Sequence, residues 1–178
     1  DPQLPEWLRA RETRLPEGDN PRIIAFAKDL AARSDGPESF LANALQYIRS
    51  EPYVYTLNPP LLSNAGSVDA FWFDSRRGFC SHFAGAFVYM ARAVGIPARM
   101  IGGYQGGEIN PLTGHLVVRQ FDAHAWTEVW LERRGWVRLD PTAAVAPARI
   151  ESGLNAALSE LDREVLSSVT AGRFEGVP

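Results

Sequence analysis

A chain of 178 residues carries one cysteine, Cys80, and one lysine, Lys28. One thiol rules out a disulfide scaffold and any zinc site built from several cysteines, while leaving the redox compartment open. The 18 basic residues are otherwise all arginine, whose guanidinium keeps its charge and cannot act as an amine nucleophile at neutral pH. There is no excess of positive charge: the net charge is −3 and the pI about 5.6. That excludes the basic footprint of a nucleic-acid binder or of a protein held on anionic lipid. No apolar run approaches the roughly 18 residues of a membrane helix, and the signal-peptide pattern is missing. The chain opens on Asp1-Pro2 instead of Met, so the expectation is a piece cut from a longer protein. Internal repeats and low-complexity tracts are lacking too.

What is present is the composition of a folded domain, 46% hydrophobic and 22% charged, of a length suited to one compact unit over 1–178. Residues 1–20, with Pro2, Pro5 and Pro16 among alternating charges, read as a loose lead-in. In the helical region, 21–52, Asn20-Pro21 is a capping side chain followed by proline at the first helical position. Ile23, Phe26, Ala27 and Leu30 follow at helical spacing. Gly36-Pro37 breaks that helix, and a second presents Phe40, Leu41, Ala44, Leu45 and Ile48 before ending at Glu51-Pro52. The core region, 53–154, begins with an extended loop over 53–68. A third helix is expected from Cys80 to about Val94, with Phe83, Ala84, Phe87, Val88 and Ala91 on its apolar face; Gly95 fits the position just past its end and Pro97 prevents continuation. Strands are expected at Pro97 to Tyr104, Leu116 to Phe121, Ala123 to Leu131 and Trp136 to Asp140. A C-terminal helix over 155–167, with Leu158, Leu161, Val165 and Leu166 apolar, and a tail fill 155–178. Helices first and strands later give an α+β class.

Three residues invite chemistry. Cys80 opens the third predicted helix after Arg76-Arg77-Gly78-Phe79. Thiol nucleophilicity needs the thiolate, which the free N–H groups of a helix N-terminus favour; a lone cysteine is equally a small buried hydrophobe. His124 could supply the base, or could pack as a structural histidine beside Trp126 and Trp130 on the same strand face. His82, two residues beyond Cys80, points to another side of the helix, and His115 falls in a Gly-rich loop facing solvent. Asp140 could orient the imidazole, or Asp-Pro-Thr could simply start a turn. A three-residue hairpin loop at Arg133 to Gly135 sets Asp140 opposite Glu128, on the His124 face but offset along the strands, so that a bulge or strong twist is needed to join them; a four-residue loop reverses the face. Asp122 and Glu128 are the substitutes. Cys80, His82, His124 and Asp140 could also be read as metal ligands, but no recognised ligand spacing supports that.

These stretches taken together resemble a known family. VDAFWFDSRRGFC (68–80) continuing SHFAGAF, then GIPARMIGGYQGGE (95–108) and DAHAWTEVWLERRGWVRLDPTAA (122–144) are similar to the bacterial transglutaminase-like superfamily, with its papain-like Cys-His-Asp arrangement. YTLNPPLL (55–62), GIPAR, GYQGGE and GWVRLDPTAAVAPARI resemble more narrowly its membrane-anchored, TgpA-type members from Gram-negative bacteria. The resemblance covers about Tyr55 to Leu154.

It implies a helical lobe, with a nucleophile at the helix N-terminus, packed on an antiparallel sheet. It further implies Cys80 as nucleophile, His124 as base and Asp140 as the acid that orients it. The family's upstream oxyanion-hole residue falls on Trp72. The activity implied is acyl transfer through a thioester, from the glutamine-like carboxamide of a protein or peptide to an amine acceptor, without metal or organic cofactor. With Lys28 as its only lysine, such an enzyme would offer itself almost no acceptor. The implied location is the periplasmic side of the bacterial inner membrane, with membrane contact only through flanking segments. Water in place of the amine would make it a deamidase, or a cysteine peptidase or amidase acting on peptide or cell-wall amides. A third reading is a binding scaffold without turnover. Tyr104 and Trp126, with Tyr53, Tyr55 and Trp72, are candidates to line an aromatic cleft, although core packing explains each as well. The glycines of Gly102 to Gly107 suit a mobile rim loop or a tight turn.

Overall fold

The computed structural model describes residues 3–17, 19–62, 66–160 and 162–163, without the side chains of 155 and 156. The lead-in is more ordered than its prolines and charges suggest. It holds a helix, α1 (Glu6–Glu12), because it has something to pack on. Leu4 is buried, and the buried carboxylate of Glu12 receives Arg92 from the central helix at 2.7 Å.

Helix α2 (Pro21–Ala32) and helix α3 (Pro37–Ser50) begin at the predicted prolines and bury most of the predicted stripes, Phe26 and Leu45 being half-buried. The expected cap, however, is exchanged. Asn20 lies in the left-handed region (φ 52°) and makes no side-chain cap on its own helix. Its Oδ1 accepts the N–H groups of Val68 and Asp69, each at 2.9 Å. In return, the Asp69 carboxylate accepts the N–H groups of Arg22 and Ile23, at 2.9 and 2.8 Å. Two helix starts distant in sequence thus satisfy each other's orphan donors, an arrangement invisible to a local pattern.

The loop predicted over 53–68 contains a short strand, β1 (Val54–Tyr55), and is followed by a helical stretch that the sequence reading did not foresee. This is α4 (Ser67–Asp69), continuing as a π-helical turn through Ala70–Ser75. Strand β2 (Arg77–Gly78) pairs in parallel with β1, Tyr55 opposite Gly78. Gly78 is required there by space: a Cβ would lie 2.8 Å from His82 and from the Phe71 ring. The pairing brings Tyr55 alongside the start of the central helix, α5 (Cys80–Ala93).

Strand β3 (Ala98–Tyr104) follows. The strand expected at Leu116 to Phe121 is much shorter. Its part β5 (Leu116–Val117) pairs only with β4 (Glu108–Ile109) in a separate small hairpin, and Gln120–Asp122 turns as a 3-10 segment. The main sheet is antiparallel, ordered β3, β6 (Ala123–Leu131), β7 (Gly135–Leu139). Thr127, Val129 and Leu131 of β6 are buried, while Trp126, Glu128 and Trp130 are half-buried. On the half-buried face Trp130 meets Trp136 edge-on at 5.6 Å, and Glu128 is held by Arg99.

Helix α5 packs across β3 and β6. Phe83, Ala84 and Phe87 are buried to within 1%, and each phenylalanine contributes about 2–3 kcal/mol by leaving water. One polar contact fixes their register: Thr127 Oγ1 donates to Ala84 O at 3.0 Å, fully buried. Three short helices follow β7: α6 (Thr142–Val145), α7 (Pro147–Glu151) and α8 (Leu154–Ala157); of the helix expected over 155–167, residues 155–157 belong to α8, and 161 and 164–167 lie outside the described residues. Leu158 is buried; Leu161, Val165 and Leu166 lie outside the described residues. The fold is an α+β arrangement of mixed helices around an antiparallel sheet.

Removing the buried Asp69 carboxylate strands two N–H groups, so Asp69→Ala should cost about 2–3 kcal/mol, read as a lower urea midpoint at unchanged slope. Thr127→Val keeps shape but loses the donor to Ala84 and should cost about 1–2 kcal/mol by the same measurement.

Candidate active site

Cys80 is the first residue of α5, so its own N–H belongs to the helix start, where backbone donors have no intrahelical acceptor. His82 does not share the site. It turns back, and its Nδ1 accepts the Phe79 N–H at 3.3 Å. His115 is exposed. His124, the second residue of β6, is 3% exposed. The structure brings it together with both Cys80 and Asp140.

The hairpin supplies the first of these approaches. Leu131 pairs with Gly135, so the loop is Glu132–Arg134, one residue earlier than expected, with Arg133 and Gly135 at positive φ. The ladder runs without interruption from Leu131↔Gly135 to Thr127↔Leu139. One further step sets Asp140 opposite Trp126, not Glu128. His124 is then a diagonal neighbour on the same face, within reach without a bulge. His124 Nε2 donates to Asp140 Oδ2 at 2.7 Å. Asp140 is itself steadied by the Thr142 N–H on Oδ1 at 3.2 Å and by Arg138 at 3.4 Å. The turn-forming and imidazole-orienting readings of Asp140 therefore coexist in one carboxylate. Neither substitute takes its place: Glu128 is engaged by Arg99, and Asp122 accepts the Arg119 N–H.

With Nε2 committed, Nδ1 of His124 is left for the thiol. Burial alone would push the Cys80 thiol up. The His124 imidazole, the Ala125 N–H and the Arg149 charge outweigh burial, and the net shift is downward. Burial would likewise lower His124, but the Asp140 carboxylate that accepts its Nε2–H and the neighbouring Cys80 raise it. Both shifts favour a thiolate–imidazolium pair.

Cys80 and His124 open into a cleft of roughly 600 Å³, a size suited to a small ligand or a side chain. Its walls include Leu57, Phe79, Phe121 and Leu154, with Tyr104, just over half exposed, at the rim. Gly102 and Gly103 belong to β3, within the strand expected at Pro97 to Tyr104 and not in a rim loop, and also line it. Trp126 does not line the cleft. Its ring lies beside His124, 6.3 Å centre to centre and 24° from parallel, with Arg138 over it at 4.2 Å. Gly103 makes this stacking feasible, since a Cβ there would lie 2.7 Å from the indole.

Trp72 is also elsewhere. It is fully buried, stacked on Tyr47 and packed on Tyr53 and Phe87, because the π-helical turn directs it into the helical core. Tyr53 joins that core, its hydroxyl donating to Trp72 O at 2.7 Å. The aromatic side chain beside Cys80 is Tyr55, placed there by the β1–β2 pairing. Burial and the facing Cys80 push its hydroxyl up to about 12, so it stays protonated and able to donate. Arg149, fully buried on α7, donates Nη2 to Ala123 O at 2.9 Å. The sequence reading missed it, and nothing local distinguishes it from the other arginines. Among the described residues, no three of His, Cys, Asp and Glu gather as a metal-ligand set.

Comparison with known proteins places this geometry. The transglutaminase-like superfamily matches residues 24–141. A Pseudomonas aeruginosa protein named protein-glutamine gamma-glutamyltransferase is 48% identical over 172 residues, covering 96% of this chain and 25% of that protein. YebA of Bacillus subtilis, uncharacterised, is 32% identical over 149 residues, 80% of this chain and 20% of its own length. The chain thus spans about a quarter or less of these relatives. The crystal structure of the periplasmic domain of TgpA from Pseudomonas aeruginosa superposes with a TM-score of 0.84 at 49% identity, over 88% of this chain and 54% of that one. The crystal structure of a putative cysteine protease from Cytophaga hutchinsonii is 22% identical with a TM-score of 0.52, over 71% of this chain and 38% of that one, a likeness of fold alone. With a family match across most of its length and a Cys–His–Asp cleft of this geometry, the chain belongs to the transglutaminase-like superfamily.

Proposed function

We propose that this domain catalyses cysteine-dependent acyl transfer of the transglutaminase type. The observation that carries the reading is the 2.7 Å bond from His124 Nε2 to Asp140, which leaves the other ring nitrogen for a thiol at a helix start. The Cys80 thiolate attacks the carboxamide carbon of a glutamine-like side chain on a protein or peptide. Negative charge passes to the carbonyl oxygen, where the Cys80 N–H and the Tyr55 hydroxyl are the donors at hand. The His124 imidazolium gives its proton to the nitrogen, ammonia leaves, and a thioester remains. A primary amine then attacks the thioester carbon, His124 takes its proton, and collapse expels the thiolate and releases the new amide. Asp140 fixes the imidazole tautomer and stabilises its charged form throughout. The relative's printed name supports the amine as acceptor. By its likeness to a periplasmic domain, we place the domain on the periplasmic side of the inner membrane, within a longer membrane-anchored protein. No helix among the described residues is long and apolar enough to cross a membrane.

The domain should incorporate a labelled primary amine into a glutamine-rich acceptor protein, and Cys80→Ala should abolish it. Ammonia release or peptide cleavage dependent on Cys80, without incorporation, would move the assignment to deamidase or peptidase; silence in all three would leave the scaffold reading. The pH profile tests the pair. Because the Cys80 pKa is depressed and the His124 pKa raised, kcat/KM should fall in acid as the thiolate protonates and in alkali as the imidazolium loses its proton. Asp140→Asn removes the interaction that raises His124, so the alkaline limb should move to lower pH and kcat should drop about 10²- to 10⁴-fold. An unmoved alkaline limb would sink the role given to Asp140.

A further inference from the structure

Arg149 is the one arginine or lysine among the described residues that is fully buried. Other arginines that approach the core have carboxylates: Arg92 has Glu12, Arg76 has Glu51 and Arg99 has Glu128. Arg149 has none within ion-pair distance among the described residues. Its Nη2 is used by Ala123 O, while Nε and Nη1 are buried without a hydrogen-bond partner. A guanidinium cannot escape this cost by deprotonating, and burying a cation without a counter-charge costs several kcal/mol. A structure that tolerates this is completed when an anion forms nearby.

The surroundings identify that anion. Ala123 precedes His124 and lines the cleft together with Cys80 and Tyr55. Helix α7 is held against this wall by Arg149 itself and by Gln105 Nε2, which donates to Ile150 O at 3.3 Å. The guanidinium thus lies behind the cleft. Its charge is felt by the Cys80 thiol and by the Tyr55 hydroxyl, favouring the ionised form of each. Of the two, the thiol is the one whose pKa is shifted downward, while Tyr55 is pushed up to about 12.

We propose that Arg149 is a positioning residue of the cleft, the buried counter-charge that holds Cys80 as thiolate while its bond to Ala123 O anchors the strand entry bearing His124. Its place in turnover rests on the acyl-transfer reading; its effect on the thiol does not. The field acts first on sulfur and then on the oxyanion, because in the thiolate, the tetrahedral state and the returning thiolate the negative charge stays within the same few ångströms of wall. The guanidinium never touches substrate.

The test is the pH dependence of Cys80 alkylation by iodoacetamide in Arg149→Met and Arg149→Lys, with circular dichroism to verify folding. Arg149→Met should raise the alkylation midpoint by about one pH unit, slowing alkylation about tenfold below it. Arg149→Lys, which restores a cation, should recover most of that shift. A merely structural arginine would alter melting temperature and leave the midpoint in place, so a folded Arg149→Met with the wild-type midpoint overturns the proposal. If Arg149→Met does not fold, Arg149→Gln, which keeps a donor for Ala123 O without the charge, supplies the decision: its alkylation midpoint should rise as in Arg149→Met, and a folded Arg149→Gln with the wild-type midpoint overturns the proposal. Alkylation needs no acyl substrate. A raised midpoint without amine incorporation in the parent domain would reject transamidation and keep Arg149, whereas incorporation with an unmoved midpoint would do the reverse.

Discussion

The seating of α5 on β6 is the constraint from which the rest follows. The thiol of Cys80 and the imidazole of His124 come from different elements, and neither element carries information about the other's position along the shared interface. Apolar packing alone, Phe83, Ala84 and Phe87 against the buried face of the sheet, allows a helix to slide by fractions of a turn at small cost. The Thr127 hydroxyl on the Ala84 carbonyl removes that freedom, because a buried donor has no second acceptor to move to. Cys80 lies one turn before Ala84 and His124 three residues before Thr127. One hydrogen bond therefore sets the separation of thiol and imidazole.

Around that joint the cleft gathers a thiol, an imidazole, a carboxylate and a guanidinium, all largely out of water. Each ion alone would be costly to bury. Their arrangement makes the cost mutual: the carboxylate supports the imidazolium, the imidazolium and Arg149 support the thiolate, and the helix start adds oriented N–H groups. The apolar walls raise the stakes by lowering the local dielectric. Trp126, lying flat against the sheet above Gly103, covers the histidine from the side away from the cleft. The same strand pattern that looked like a structural aromatic cluster thus serves as shielding for a polar one.

Much of the fold was legible locally. Pro21, Pro37 and Gly95 punctuate helices where expected, the stripes of α2, α3 and α5 are the buried ones, and the period of two along Ala123 to Leu131 separates the sheet's faces. The failures share one cause. Asn20 caps a helix start far along the chain, α1 orders because Glu12 finds Arg92, and the 116–121 segment leaves the main sheet for a small hairpin. In each case a long-range partner decided between local options of nearly equal energy. Trp72 failed for a related reason: a π-helical turn redirected its side chain into the core, and Tyr55 stands beside the cysteine because of a two-residue parallel pairing too short to leave a pattern.

By itself, the sequence determined the superfamily to which the chain belongs. It holds one thiol placed to start a helix, one histidine on an alternating strand and one aspartate at the end of the next, in an order and context that match a single superfamily. Tertiary structure decided how these become a site. The hairpin register, earlier by one residue than the turn composition suggested, set Asp140 within reach of His124. The burial of Arg149 without a carboxylate made one arginine of many electrostatically distinct. Local propensity acts over a few residues, whereas register and desolvation are fixed only when distant surfaces close on one another.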